Sequence, residues 1–197
     1  MGKTNTKQVR PEDRIPVSGK LAYSIGFAGK DTFQTIVNNY LMLFLMMVAG
    51  LPGTFIGLMM LGARIWDAIN DPILGSIADH TTTKYGRFRP YLFFAIPMAF
   101  VFAALFFVPG LEGNAKLVYY TIFYVLYGMA MTIIEVPYFG LAGAMSFDPT
   151  ERATVTAWSR IASRIPAVGV PLLLAAIQTK IGDQQGYFVT AILIGII

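Results

Sequence analysis

The sequence has no cysteine and a single histidine, His80, among its 197 residues. A disulfide scaffold is therefore excluded, and a structural zinc or iron–sulfur site lacks its usual ligands. Charge is also scarce, because charged residues make up 13% of the chain, whereas a soluble domain carries about 25%. A hydrophobic content of 55% and a mean hydropathy of +0.59 exclude a disordered chain and favour a membrane protein.

Long hydrophobic runs follow a polar N-terminal tail, 1–20. A membrane-spanning helix needs about 20 mostly apolar residues. Turn residues such as Leu51-Pro52-Gly53 and Asp148-Pro149 separate the runs. The sequence therefore predicts an all-α polytopic membrane protein with five full spans and a truncated sixth in a membrane region, 21–197. The predicted spans lie near 21–49, 54–78, 91–108, 117–144, 154–177 and 187–197.

The distribution of basic residues among the loops predicts the orientation of the chain. The tail and the second and fourth loops lie on one side and contain nine Lys or Arg residues, whereas the opposite side contains two, Lys116 and Lys180. Because Lys and Arg are retained in cytoplasmic loops, we expect a multi-pass protein of the cell membrane with a cytoplasmic N-terminus. The net charge of +4 is explained by this orientation, so a nucleic acid partner is not expected.

Eight ionisable residues fall inside the predicted spans, where each costs roughly 2.5–3.5 kcal/mol on insertion scales. They either pair to hold helices together or face a water-filled cavity. Arg160 and Arg164 cannot neutralise each other, so we expect acids from other spans to pair with them. We expect spans one, two, four and five to surround a shared cavity, with three and six outside. The eight residues are Lys30, Asp31, Arg64, Asp67, Asp71, Glu135, Arg160 and Arg164.

On the second span, Arg64, Asp67 and Asp71 share one helix face, with Asn70 beside it. Two carboxylates so close together repel each other in a low dielectric. They coexist when a cation lies between them, when an arginine compensates, or when one is protonated. The first and third arrangements are the chemistry of ion-coupled transport. The alternative is a helix kinked at Pro72 and held by a salt-bridge network.

The fourth span carries an aromatic face with one carboxylate, and Thr132 lies one turn before Glu135. A carboxylate that accepts sugar hydroxyls, beside aromatic rings that contact the sugar C–H face, suits an uncharged polyol. The alternative is an ordinary aromatic packing stripe. No nucleophile–base pair or metal motif indicates an enzyme. The face consists of Tyr120, Tyr124, Tyr127, Met131, Glu135 and Tyr138.

Two further patterns concern the arrangement of the spans. Charged spans one and two, then four and five, with neutral third and sixth spans, indicate two inverted three-helix repeats. In the second loop, Asp79 is placed to meet Arg87 or Arg89. We expect that loop to form a cytoplasmic latch between spans two and three.

Four motifs resemble the glycoside–pentoside–hexuronide:cation symporters of the major facilitator superfamily. The most specific is ARIWDAINDP at 63–72 on the second span. The others are FAGKD at 27–31, GRFRP at 86–90 and TIIEVPY at 132–138. The resemblance covers 21–197, essentially the whole chain, and implies a Na⁺- or H⁺-coupled sugar or glycoside symporter without an organic cofactor.

The resemblance also implies roles for individual residues. Melibiose-type members have Asp where this chain has Glu135 and Trp where it has Phe139, which leaves galactoside specificity open. The implied cation-binding residues are Asp67, Asn70, Asp71 and Thr132. The implied substrate-binding residues are Lys30, Asp31, Glu135, Tyr138, Phe139 and Arg160.

Members of this superfamily are built from two six-helix halves, about twelve helices in all. The chain resembles the N-terminal half, so we expect it to be a fragment, a truncated product or a half that needs a partner chain. Two alternatives stay open beside the sugar symporter. One is a transporter of the same fold for a lysolipid or drug, and the other is a half-module that does not transport alone.

Overall fold

The computed structural model describes residues 14–80 and 89–196, and the regular elements in these ranges are all helical. The expected latch of Asp79 with Arg87 or Arg89 lies outside the described side chains. A π-helix, Phe44–Val48, continues the first helix, and a 3-10 helix, Arg89–Phe94, precedes the third. The α-helices are α1 (Val17–Leu43), α2 (Gly53–His80), α3 (Ala95–Leu105), α4 (Gly113–Met145), α5 (Pro149–Ala162), α6 (Arg164–Ile181) and α7 (Asp183–Ile196).

Helices α5 and α6 form one nearly continuous segment, Pro149–Ile181. The interruption at Ser163 has a local cause, because Pro166 has no N–H to donate to the Ala162 carbonyl oxygen. Within the described ranges, this segment and α4 are the two that are long and apolar enough to cross a membrane by length and composition. Helices α1 and α2, of 27 and 28 residues, span about 40 Å each but carry charges in their interiors.

The start of α5 is fixed by a cap and by a contact with the start of α1. Asp148 is the N-cap, and its carboxylate accepts the backbone N–H of Thr150 at 2.7 Å. One turn on, Glu151 Oε2 lies 2.8 Å from Lys20 Nζ and accepts the Ile15 N–H at 3.2 Å. These bonds join the N-terminal ends of α1 and α5 outside the predicted fifth span.

The helices pack in a pattern that pairs the charged spans. Helix α1 contacts α5 and α6, and α2 contacts α4, whereas α3 contacts both α4 and α7. An inverted relation between the first three and last three spans would exchange the α1–α5 pair with the α4–α2 pair. These two contacts are related in that way, but the α6–α7 packing has no comparable α2–α3 counterpart among the described residues, so the inverted repeat stays a prediction.

Three clusters of buried hydrophobic residues lie in the described part of the chain, and two of them include buried residues of α1. The larger is aromatic, and the Phe44 and Phe106 ring centroids in it lie 5.2 Å apart. The smaller joins α1, α4 and α5 around Tyr23 and Tyr138, each of which donates its hydroxyl to the other's carbonyl oxygen. A methyl group at Gly26 would lie 2.7 Å from Tyr138 Oη. Glycine at this position therefore leaves room on α1 for the Tyr138 side chain of α4.

We predict that Glu151→Gln lowers the melting temperature of the protein in detergent at neutral pH. The Lys20 side-chain hydrogen bond, followed by the Ile15 N–H, lowers the pKa of Glu151 below its usual 4.5. A carboxyl group whose pKa is lower in the folded state stabilises the fold at pH values above its unfolded-state pKa. This stabilisation is lost as the pH falls through the folded-state pKa. The difference in melting temperature between the Glu151→Gln variant and the unsubstituted protein should therefore shrink below pH 4.5.

The control for this melting series is Glu112→Gln, because Glu112 precedes α4 and its side chain makes no cap hydrogen bond. Equal melting temperatures for the Glu151→Gln variant and the unsubstituted protein at pH 7 would contradict the prediction.

Candidate functional site

The centre of the site is an ion pair between α1 and α4. Lys30 Nζ lies 2.6 Å from Glu135 Oε1 and 3.4 Å from Gln34 Oε1. The Lys30 side chain is 4% exposed and the Glu135 side chain 27%. An ammonium group buried to this extent needs an acid partner, since an isolated charge is costly to remove from water. The carboxylate of Glu135 remains accessible to a ligand.

Aromatic rings complete the surroundings of the Lys30 ammonium. Its nitrogen lies 4.9 Å from the ring centroid of Phe27 and 5.6 Å from that of Phe139. The Arg160 guanidinium on α5 lies 5.6 Å from the same Phe27 centroid. These distances fall within the range of cation–π attraction. Substrate-candidate residues from α1, α4 and α5 therefore meet around two phenylalanine rings.

A second cluster joins α2 to α4. The Thr132 hydroxyl donates to Asp71 Oδ1 at 3.0 Å and also lies 3.1 Å from the Gly128 carbonyl oxygen. A methyl group at Gly128 would be 3.2 Å from Asp67 Oδ1, which is tighter than an ordinary contact. Both helix 2 carboxylates therefore lie against one stretch of α4, although Asp67 and Asp71 come from separate turns of α2.

Asn70 is buried beside these carboxylates, at 8% exposure. Its amide nitrogen has no hydrogen-bond partner in the described part of the chain. An unpaired buried amide is costly in a purely structural position. The amide nitrogen is a donor, so it could bind an acceptor atom of a ligand, whereas a cation would need the amide oxygen.

The two clusters share one face of α4. Gly128, Thr132 and Glu135 are spaced four and three residues apart, and side chains at these spacings are neighbours on a helix surface. Thr132 contacts the α2 cluster and Glu135 contacts the α1 cluster, so about one helical turn separates them. The predicted cation residues and the predicted substrate residues consequently adjoin each other.

Several expectations are not met by the geometry. The structure gives no acid partner for Arg160 or Arg164 among the described residues, because Glu135 is paired with Lys30 instead. The expected aromatic platform on α4 is mostly core, since Tyr120 and Tyr127 belong to the larger cluster. Tyr138 is 7% exposed and bonded to Tyr23, so its contacts favour the packing alternative.

Other candidates are placed without a specific partner. Asp31 is half-buried and Arg64 is exposed, and neither forms an ion pair within the ranges that the structure covers. No group of three His, Asp or Glu residues there could hold a metal ion by itself. Phe139, by contrast, is 45% exposed, so one face of its ring is available to a ligand.

Sequence reasoning missed Gly128 and the contacts of Phe27 with Lys30 and Arg160. Nothing in the sequence marks Gly128, because the need for a small residue arises only from its contact with α2. A signal for Phe27 did exist. It lies three residues before Lys30 on one helix, a spacing at which an aromatic ring and an ammonium group meet.

We predict that Lys30→Met and Glu135→Gln are each destabilising and that their effects are not additive. Either single change leaves a charge without its partner, at a cost of about 1–3 kcal/mol. The double variant removes both charges and should recover part of the loss. Thermal melting in detergent measures this cycle, with exposed Lys180→Met as the control. Fully additive losses would show that the two groups do not interact.

Comparison with known proteins places the chain among membrane transporters. The profile of the family described as MFS/sugar transport protein matches residues 22–197. The inner membrane symporter YicJ of Escherichia coli (strain K12) is 32% identical over 172 residues, which cover 87% of this chain and 37% of that protein. The isoprimeverose transporter of Lactiplantibacillus pentosus is 28% identical over 200 residues, covering 98% and 42% respectively.

A relative with a different kind of substrate in its name also matches. The sodium-dependent lysophosphatidylcholine symporter 1 of Xenopus tropicalis is 29% identical over 147 residues, covering 74% of this chain and 28% of that protein. The chain thus spans about two fifths or less of the length of these curated relatives. The family match extends over nearly the whole sequence and agrees with the all-helical fold and the charged interior. The chain belongs to the MFS/sugar transport protein family.

Proposed function

We propose that this chain supplies the cation site and part of the sugar site of a cation-coupled glycoside symporter. The observation that carries the proposal is the shared face of α4, on which Thr132 bonds Asp71 and Glu135 bonds Lys30. In this proposal the chain crosses the cell membrane several times with a cytoplasmic N-terminus. A second half, in the same polypeptide or in a partner chain, closes the cavity. Relatives named as symporters support it.

The proposed cation site consists of Asp67, Asp71, Asn70 and Thr132. Carboxylate, amide and hydroxyl oxygens are the ligands that hard cations prefer. The Thr132 hydroxyl has a single proton and two nearby acceptors, on Asp71 and Gly128. When it donates to the Gly128 carbonyl, its lone pairs are free to face a cation beside Asp71. A proton shared by the two carboxylates would serve the same purpose in a H⁺-coupled protein.

The proposed sugar site lies one turn along α4. Glu135 and Asp31 accept hydrogen bonds from sugar hydroxyls. Lys30 and Arg160 donate hydrogen bonds to sugar oxygens. The exposed face of Phe139 contacts the C–H groups of the sugar ring. Tyr138 belongs to the framework in this proposal, since its hydroxyl is already engaged by α1. The side chains thus offer both donors and acceptors, as a polyol requires.

Proximity provides a physical basis for coupling. Unit charges one helical turn apart, about 5.4 Å, interact by about 3 kcal/mol at an effective dielectric constant of about 20. A cation at Asp71 offsets the repulsion between that carboxylate and Glu135, and thereby stabilises Glu135 as an ionised acceptor of sugar hydroxyls. By linkage, a bound sugar strengthens cation binding by the same factor.

A lysolipid symporter is the second candidate, because a relative with that activity in its name matches 74% of the chain. It would use the same cation residues but not the polar sugar contacts. Glu135→Gln separates the candidates, since it should weaken glycoside binding strongly and leave amphipath binding nearly unchanged.

We predict that Asp71→Asn abolishes cation-driven uptake in the full-length context while sugar exchange without a gradient persists. The neutral amide cannot offset the cation charge, so accumulation driven by a Na⁺ or H⁺ gradient should fall by about tenfold or more. Uptake of radiolabelled glycosides into proteoliposomes measures this, with exposed Asp183→Asn as the matched control. Unchanged accumulation in the Asp71→Asn protein would refute the cation site.

We also predict that Gly128→Ala raises the cation concentration needed for half-maximal uptake by several-fold. The added methyl would lie 3.2 Å from Asp67 Oδ1 and displace that carboxylate. Gly143→Ala on the same helix is the control, because a methyl there meets nothing within 4 Å. If both variants require the same cation concentration, Asp67 does not contribute to the site.

A further inference from the structure

Among the described residues, Phe27 lies within cation–π distance of both cations of the candidate sugar site. Its ring centroid lies 4.9 Å from Lys30 Nζ and 5.6 Å from Arg160 Cζ. Phe27 itself is 3% exposed, so it offers a ligand little surface of its own. Its contribution therefore acts through the two charged groups.

The two cations are held in different ways. Lys30 has an acid partner in Glu135, whereas the structure shows no ion pair for Arg160 within the described residues. In the part of the chain that the structure describes, Arg160 has an attractive contact with the Phe27 ring. The electron-rich face of a benzene ring attracts cations electrostatically, whereas an aliphatic side chain of similar size does not.

The ring is itself fixed by its neighbours. Tyr138 and Phe139 each have ring centroids 6.0 Å from that of Phe27, in tilted arrangements. Tyr138 is tied to α1 by its hydrogen bond to Tyr23. Neighbours on two sides restrict the ring, so the two cations lie against a surface that is itself packed in place.

We propose that Phe27 is a positioning residue that orients Lys30 and Arg160 toward a shared sugar ligand by cation–π attraction. The inference rests on the proposed function, because it assigns a task within the same site. Leucine at this position would preserve the packing, but it would leave two like charges near each other without the attraction that offsets their repulsion. The donors would then spread, and the sugar would meet them in the wrong geometry.

The test replaces Phe27 with mono-, di- and trifluorophenylalanine by nonsense suppression in the full-length context. Fluorination keeps the shape of the ring and its apolar character while it withdraws electron density from the face. The readouts are glycoside affinity and the separate KM and kcat values of uptake. The same series at Phe102, a fully buried ring of the core, controls for packing.

We expect glycoside affinity to fall stepwise along the series at Phe27, reaching about tenfold with the trifluoro ring. KM should rise while kcat changes little, and the cation requirement should stay the same. Phe27→Leu should resemble the trifluoro protein, and Phe27→Trp should restore affinity. The series at Phe102 should leave affinity unchanged.

If the protein binds glycosides and its affinity does not change along the fluorination series at Phe27, the positioning role of Phe27 is overturned while the proposed function stands. Parallel losses at Phe27 and Phe102 would also overturn it, because they would reveal a packing effect. Absence of any glycoside binding by the unsubstituted protein would overturn the proposed function, and the role of Phe27 with it.

Discussion

The cost of placing charge inside a membrane constrains this molecule more than any other factor. Lys30 is nearly fully enclosed, and a lone ammonium there would be prohibitively expensive. Glu135 offsets that cost at 2.6 Å, which brings a side chain of α4 into contact with α1. The small side of α1 at Gly26 and the reciprocal bonds between Tyr23 and Tyr138 permit this approach. The charged interior thus shapes the bundle as well as the site.

Helix α4 links the two halves of the candidate site. Gly128 leaves room for the Asp67 carboxylate of α2, and the Thr132 hydroxyl donates to Asp71. Three residues later, Glu135 pairs with Lys30 on α1. A single helix therefore connects the proposed cation and sugar positions, so the charge of one ligand can act directly on the other. Any coupling between them follows from charge and distance.

The fold class and the family could be predicted from the sequence, because both depend on patterns of residues that are close together along the chain. Hydrophobic runs predicted the all-helical class, and the motifs predicted the family, both of which are confirmed. Within the described residues no acid pairs with Arg160, since Glu135 pairs with Lys30 instead, and sequence spacing does not reveal that pairing. Likewise, the α4 tyrosines share a stripe in sequence, but only the packing of α1 shows that Tyr138 faces a neighbour. The cation and sugar roles themselves stay predictions.

Reciprocal binding titrations test the proposed coupling most directly. Glycoside binding to the purified full-length protein is measured by calorimetry across a series of Na⁺ concentrations and of pH, and cation binding is then measured with and without the glycoside. Sites one helical turn apart should show a glycoside Kd that falls as the cation site fills, with an equal fall in the cation Kd when glycoside is present. Affinities that are independent of each other under all these conditions would contradict the shared site on α4.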